Sequence, residues 1–169
     1  MNMARLWPYA AGLAVLVHLG ELAYCYPRLP ARVALHFDFA GRPDRWGTKQ
    51  ELVASSLLVL LAVVVVLLPM LFVARRVPRS SIKLPHCDYW LAPAREAATR
   101  SMIAQRMGWL YAATIIFMAA LLHFLLTANL APQPRFLSPL GLLAIVLSYL
   151  AFVAAWLVAL VQRFNRVDQ

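Results

Sequence analysis

Four long apolar stretches constrain this chain more than any other feature of its sequence. The second stretch has no polar side chain at all between residues 57 and 68. A helix needs roughly 20 apolar residues, at about 1.5 Å each, to cross the hydrocarbon core of a bilayer. Four stretches reach that length, at residues 6–26, 52–73, 108–130 and 136–161. We therefore predict an all-α integral membrane protein with about four transmembrane helices.

Composition supports this class, because 63% of the residues are hydrophobic and only 14% are charged. The first stretch is longer than the apolar part of a signal peptide and contains His18 and Glu21, so we predict an uncleaved helix. Nearly all of the 169 residues lie in predicted spans or short connections. The chain is therefore predicted to be a single membrane domain, residues 1–169.

The basic residues predict an orientation. Four spans place both termini on one side of the membrane, and that side receives ten of the 16 Lys and Arg residues. The excess predicts cytoplasmic termini by the positive-inside rule. The net charge of +9 then reflects loops near anionic lipid headgroups. Nothing in the sequence matches a nucleic-acid-binding module, so the bilayer is the expected partner and nucleic acid is not.

The first long connection, residues 27–50, is predicted to be structured. Apolar and polar residues alternate over 33–39, which is typical of a short strand with His36 and Asp38 on one side. Gly41 to Asp44 predicts a turn. Trp46 suits the level of the lipid headgroups. With cytoplasmic termini, this connection becomes a structured outer loop.

The second long connection, residues 74–107, begins with a basic cluster and contains Pro93, a residue suited to the first turn of a helix. Residues 94–107 are mostly good helix formers with a modest apolar face. We expect an interfacial helix here, lying on the cytoplasmic leaflet.

Two motifs resemble a known bacterial family. The first comprises Leu29-Pro30, Val33, His36-Phe37, Gly41, Asp44, Trp46-Gly47 and Lys49, and the second is residues 88–93, DYWLAP. They resemble the SdpI-like toxin-immunity proteins, whose N-terminal part is domain of unknown function 1648. The resemblance implies a multi-pass protein of the bacterial inner membrane. The member that gives the family its name protects cells from a secreted peptide toxin and signals by holding a repressor at the membrane.

Three ionisable residues fall within the predicted spans. Burial of such groups is costly, so each one is a candidate functional residue. His18 and Glu21 share a face of the first span, and His123 lies at a similar depth in the third span. Three interpretations stay open: hydrogen bonding that is purely structural, a divalent metal site, or a proton relay. Imidazole and carboxylate ligands without thiolates favour zinc as the metal.

Three functions follow from these features. The favoured one is a non-enzymatic binding or immunity-type protein, whose outward pocket holds a peptide, a lipid or a partner protein. Its candidate ligand-binding residues all lie in the outer loop: His36, Asp38, Asp44, Trp46 and Lys49. The second is a zinc-dependent membrane hydrolase with Glu21 or Asp38 as base, although no known catalytic motif is present. The third is a subunit of a larger transport complex, as a homo- or hetero-oligomer.

Overall fold

The computed structural model describes residues 6–38, 40–131 and 137–166, without the side chains of residue 70 and residues 72–75. Within these residues, five α-helices and two strands follow one another. They are α1 (Trp7–Cys25), β1 (Arg32–Phe37), β2 (Pro43–Thr48), α2 (Lys49–Arg76), α3 (Cys87–Trp90), α4 (Glu96–Leu130) and α5 (Pro139–Asn165). Four of these helices, α1, α2, α4 and α5, are long and apolar enough to cross a membrane, as the sequence predicted.

The four long helices form an up-and-down bundle with α4 at its centre. Helix α4 packs against α1, α2 and α5. The two strands lie where α1 and α4 end and where α2 and α5 begin; we call this the hairpin end. Helix α3 lies at the opposite end, where the Trp90 indole nitrogen donates to the carbonyl of Phe164.

Small side chains let α1 and α4 approach closely. Ala11 and Ala14 of α1 are buried against Ala112 and Ile115 of α4. Nearer the start of α4, a side chain at Gly108 would collide with the Trp7 ring. Without a strong hydrophobic force between helices in lipid, such close backbone contact is what holds membrane helices together.

The strands β1 and β2 pair as an antiparallel hairpin with register shifts around His36. The predicted strand is present, but the predicted turn at 41–44 is displaced, because Pro43 and Asp44 already belong to β2. The turn instead lies between Asp38 and Arg42. One carboxylate oxygen of Asp38 accepts the backbone N–H groups of Ala40 and Arg42, which stabilises a turn that begins three residues earlier than predicted.

The predicted interfacial helix at 94–107 is not a separate element. From residue 96 onward it forms the first turns of α4, which runs without a break for 35 residues. Protein contacts hold this segment, since the Thr99 hydroxyl donates to the carbonyl of Trp90 and the Arg100 guanidinium donates to that of Val77. The Trp156 indole of α5 also donates to the carbonyl of Arg106. The segment therefore bonds to α3 and α5 as part of α4, while Ala94 and Ala98 of its predicted apolar face remain exposed.

Apolar side chains cover the outside of the bundle. Leu13 and Leu16 of α1, Leu58 and Val66 of α2, and Leu140 of α5 are all more than half exposed. Phe164 is the only buried residue among the α5 residues that the structure describes. Apolar side chains that face outward in this number match a hydrocarbon environment.

Candidate functional site

Glu21 and His123, two of the ionisable residues within the predicted spans, contact each other across the α1–α4 interface. Oε1 of Glu21 lies 2.7 Å from Nδ1 of His123. Because an ionised carboxylate only accepts hydrogen bonds, Nδ1 of His123 is the donor. In a neutral imidazole with its proton on Nδ1, Nε2 is an acceptor. The His123 side chain is 55% exposed and that of Glu21 is 25% exposed, so the imidazole is accessible from the surface of the bundle.

His18 takes a different partner. Its Nε2 lies 2.9 Å from the hydroxyl of Ser56 on α2, and the residue is 3% exposed. The structure therefore brings Glu21 and His123 into contact, whereas the His18 imidazole bonds to α2 instead. In the ranges that the structure describes, no three His, Cys, Asp or Glu side chains are close enough to share a metal ion. A zinc site at His18, Glu21 and His123 stays a prediction.

An open groove of about 470 Å³ runs between α1 and α4 and ends at this pair. Each helix supplies five lining residues. They are Ala10, Leu13, Ala14, Val17 and Glu21 from α1, with Ile116, Ala119, Ala120, His123 and Phe124 from α4. The small alanines make the space, and the carboxylate and imidazole are the two polar groups on its wall. The groove can therefore accept an apolar chain and one hydrogen-bonding group.

The hairpin carries a second pair of imidazole and carboxylate. Nδ1 of His36 lies 2.7 Å from Oδ1 of Asp44 across the two strands, with the side chains 67% and 46% exposed. As at His123, a neutral ring that donates from Nδ1 to this carboxylate has Nε2 as an acceptor. These two sequence-predicted residues are thus displayed at the surface of the hairpin.

The other predicted ligand-binding residues have roles within the protein. Asp38 accepts the turn N–H groups described above. The Lys49 ammonium lies 4.6 Å from the ring centre of Tyr26, and the Arg32 guanidinium lies 5.4 Å from that of Trp46. Both distances are typical of cation–π contacts. Trp46 remains 37% exposed, so it is available for contact with a ligand or with lipid headgroups.

Asn129, near the end of α4, attaches the hairpin to the bundle. Its Oδ1 accepts the backbone N–H of Ala34 at 2.7 Å, and its Nδ2 donates to the carbonyl of Ala34 at 2.9 Å and to that of Leu125. Asn129 and Ala34 are 1% and 0% exposed. Sequence reasoning missed this residue. Its one signal in the sequence is a polar amide within a mostly apolar span.

A second hydrogen bond attaches the hairpin, this time at its turn, to the residues just before α5. The N–H of Leu137 donates to the carbonyl of Gly41 at 2.9 Å. Gly41 has φ of +76°, and a side chain there would collide with the carbonyl oxygen of Leu137. Together with Asn129, this bond makes the hairpin a fixed cap at its end of the bundle. Val33 is fully buried with Leu52 and Leu126 in the core beneath the cap.

A known family model matches part of the chain. Residues 13–62 match the family model of a domain of unknown function, DUF1648. The matched stretch is less than a third of the chain, and it contains His18, Glu21, Ser56 and the hairpin. His123 and Asn129 lie outside it. The comparisons with curated proteins and with solved structures found no match. The resemblance to domain of unknown function 1648 is therefore confirmed for this stretch.

Proposed function

We propose that this is a non-enzymatic binding protein of the bacterial inner membrane, of the immunity type found among SdpI-like proteins. The proposal places both termini in the cytoplasm and the hairpin outside. Its main support is the α1–α4 groove, in which an apolar channel ends at a carboxylate-bound imidazole. The excess of Lys and Arg at the opposite end of the bundle supports the orientation.

The ligand we propose is an amphipathic molecule from the outer side. Its apolar part lies along Ala14, Val17 and Ala120, and a hydroxyl, amide or ammonium group donates to Nε2 of His123. A ligand with both an apolar part and a hydrogen-bond donor fits this site better than a fully apolar ligand. Its donor satisfies Nε2 of His123, which a hydrocarbon cannot do. The exposed His36–Asp44 pair and Trp46 lie at the same end and add polar contacts for the part of the ligand outside the bilayer.

Native mass spectrometry of protein purified in nanodiscs tests this function. Val17→Trp narrows the groove, whereas Leu16→Trp adds the same ring at a neighbouring exposed position that does not line it. We expect a bound molecule in the wild type and in Leu16→Trp, and its loss in Val17→Trp. Its mass distinguishes a phospholipid from a peptide. The same bound mass in all three proteins would contradict a ligand site in the groove.

A zinc-dependent hydrolase is the alternative that a specific observation supports. Metal-binding imidazoles are usually oriented by a carboxylate on their other nitrogen, and His123 and His36 both have such a carboxylate. Metal analysis of the purified protein discriminates between the two functions. A binding protein is expected to contain no stoichiometric zinc. One zinc per chain, lost together with hydrolytic activity in Glu21→Gln, would favour the hydrolase.

A subunit of a larger complex is the third possibility, because α5 exposes an apolar surface along most of its length. Lipid covers such a surface as well as a partner protein does, so α5 alone does not favour this function.

A further inference from the structure

Two buried polar atoms in the bundle have no hydrogen-bond partner in the part of the chain that the structure describes. They are Nδ1 of His18 and Oε2 of Glu21. A buried polar group left without a partner is costly, and buried polar groups in native proteins are nearly always satisfied. Two such atoms on neighbouring residues therefore indicate a missing partner.

The two atoms belong to the same face of α1. Residues three apart on a helix are neighbours, with Cβ atoms about 5–6 Å apart. The other polar atom of each side chain bonds to a different helix, since His18 contacts Ser56 of α2 and Glu21 contacts His123 of α4. The unsatisfied atoms thus belong to the two side chains of α1 that make these interhelical hydrogen bonds.

We propose that one water molecule binds between His18 and Glu21 and completes a hydrogen-bonded chain across the bundle. The chain runs from Ser56 through His18, the water and Glu21 to His123. It joins α2, α1 and α4 near the hairpin end, whatever molecule the groove binds.

The chemistry of the two atoms favours water over other partners. When Nε2–H of His18 donates to the Ser56 hydroxyl, Nδ1 is an acceptor, and the ionised Glu21 carboxylate also only accepts. Two acceptors cannot satisfy each other, whereas water has two O–H groups to donate, one to each. Water that satisfies otherwise unpaired buried groups is a regular part of protein structures. Zinc normally takes at least three protein ligands, and the described residues offer no such group.

The chain has a consequence for the imidazole at the groove. The water fixes the Glu21 carboxylate from one side, so that its other oxygen stays aimed at Nδ1 of His123. A buried water between His18 and Glu21 is therefore a positioning element for the accessible Nε2 of His123.

Solid-state NMR of the wild-type protein in lipid bilayers, labelled with ¹⁵N-histidine, tests the proposal directly. Magnetisation transfer from water should reach Nδ1 of His18 even though this residue is buried, and its ¹⁵N shift should be that of an unprotonated acceptor. A His18 ring without transfer from water would overturn the proposal. So would a protonated Nδ1 bonded directly to Glu21.

Two variants give a matched comparison. Ser56→Ala removes the far end of the chain but leaves both water-binding atoms, so transfer from water to Nδ1 of His18 should persist. Glu21→Leu removes one of the two acceptors, and the transfer should be lost. Equal transfer in the two variants would show that Glu21 does not hold the water and would overturn the proposed site.

Discussion

At the scale of single residues, the bond between Glu21 and His123 can be measured as a coupling free energy. The pair is partly exposed, and polar pairs in membrane bundles contribute little. We expect a double-mutant cycle of Glu21→Gln and His123→Gln to give a coupling of about 1 kcal/mol in the free energy of unfolding in bilayers. A cycle of Glu21→Gln with His36→Gln is the control and should give none, since His36 bonds to Asp44. Zero coupling in the first cycle would contradict the pairing.

Asn129 should contribute more to the free energy of unfolding than Glu21, because the hydrogen bonds of Asn129 are buried. Asn129→Leu leaves the N–H and the carbonyl of Ala34 without a partner, which we expect to lower the free energy of unfolding by about 2–4 kcal/mol. Trypsin should then cleave the hairpin after Arg45 faster than in the wild type. Thr127→Val is the matched control, since this exposed hydroxyl bonds only within α4. Equal cleavage of both variants would argue against the attachment.

These residues differ in how far the sequence could predict them. Glu21 and His123 stand out because ionisable groups are rare in apolar spans. Asn129 does not, because its partner is a backbone unit 95 residues away, and no sequence pattern marks a backbone partner. The pairing of His18 with Ser56 was equally unpredictable, since it depends on how α1 and α2 are rotated toward each other.

At the scale of elements, the hairpin turn depends on a glycine. Gly41→Ala places a side chain at positive φ and against the carbonyl of Leu137, so we expect a loss of about 1–2 kcal/mol in the free energy of unfolding. Gly12→Ala is the control, because a side chain there meets nothing within 4 Å and alanine favours the helix. Thermal or denaturant unfolding measures both. A Gly41→Ala variant as stable as Gly12→Ala would contradict the close contact with Leu137.

The long helices were predictable and their ends were less so. Apolar length alone identifies them, but it cannot tell that residues 96–107 continue into the third span, because tertiary contacts such as Thr99 with Trp90 decide this. The first strand was predicted from its alternation. The second, Pro43–Thr48, has a proline, a glycine and charged residues in place of alternation, so only its pairing with β1 reveals it.

At the scale of the whole molecule, native cysteines provide a test of orientation. Cys87 is exposed at the end of the bundle opposite the hairpin, and Cys25 is buried. In intact cells, a membrane-impermeant thiol reagent should therefore leave the wild type unlabelled. It should label Ala40→Cys, because the exposed hairpin turn lies outside in the proposed orientation. Labelling of Cys87 in intact cells would show that the orientation is the reverse of the proposed one. Permeabilised cells, in which Cys87 should be labelled, provide the positive control.

The attachment at Asn129 recognises only the main chain of Ala34, which every residue type except proline presents in the same way. The attachment of the hairpin at Asn129 therefore does not depend on the side chains that the hairpin exposes. Substitutions at positions such as 36, 44 and 46 should therefore change the surface of the hairpin without removing the hydrogen bonds that attach it to the helices beneath.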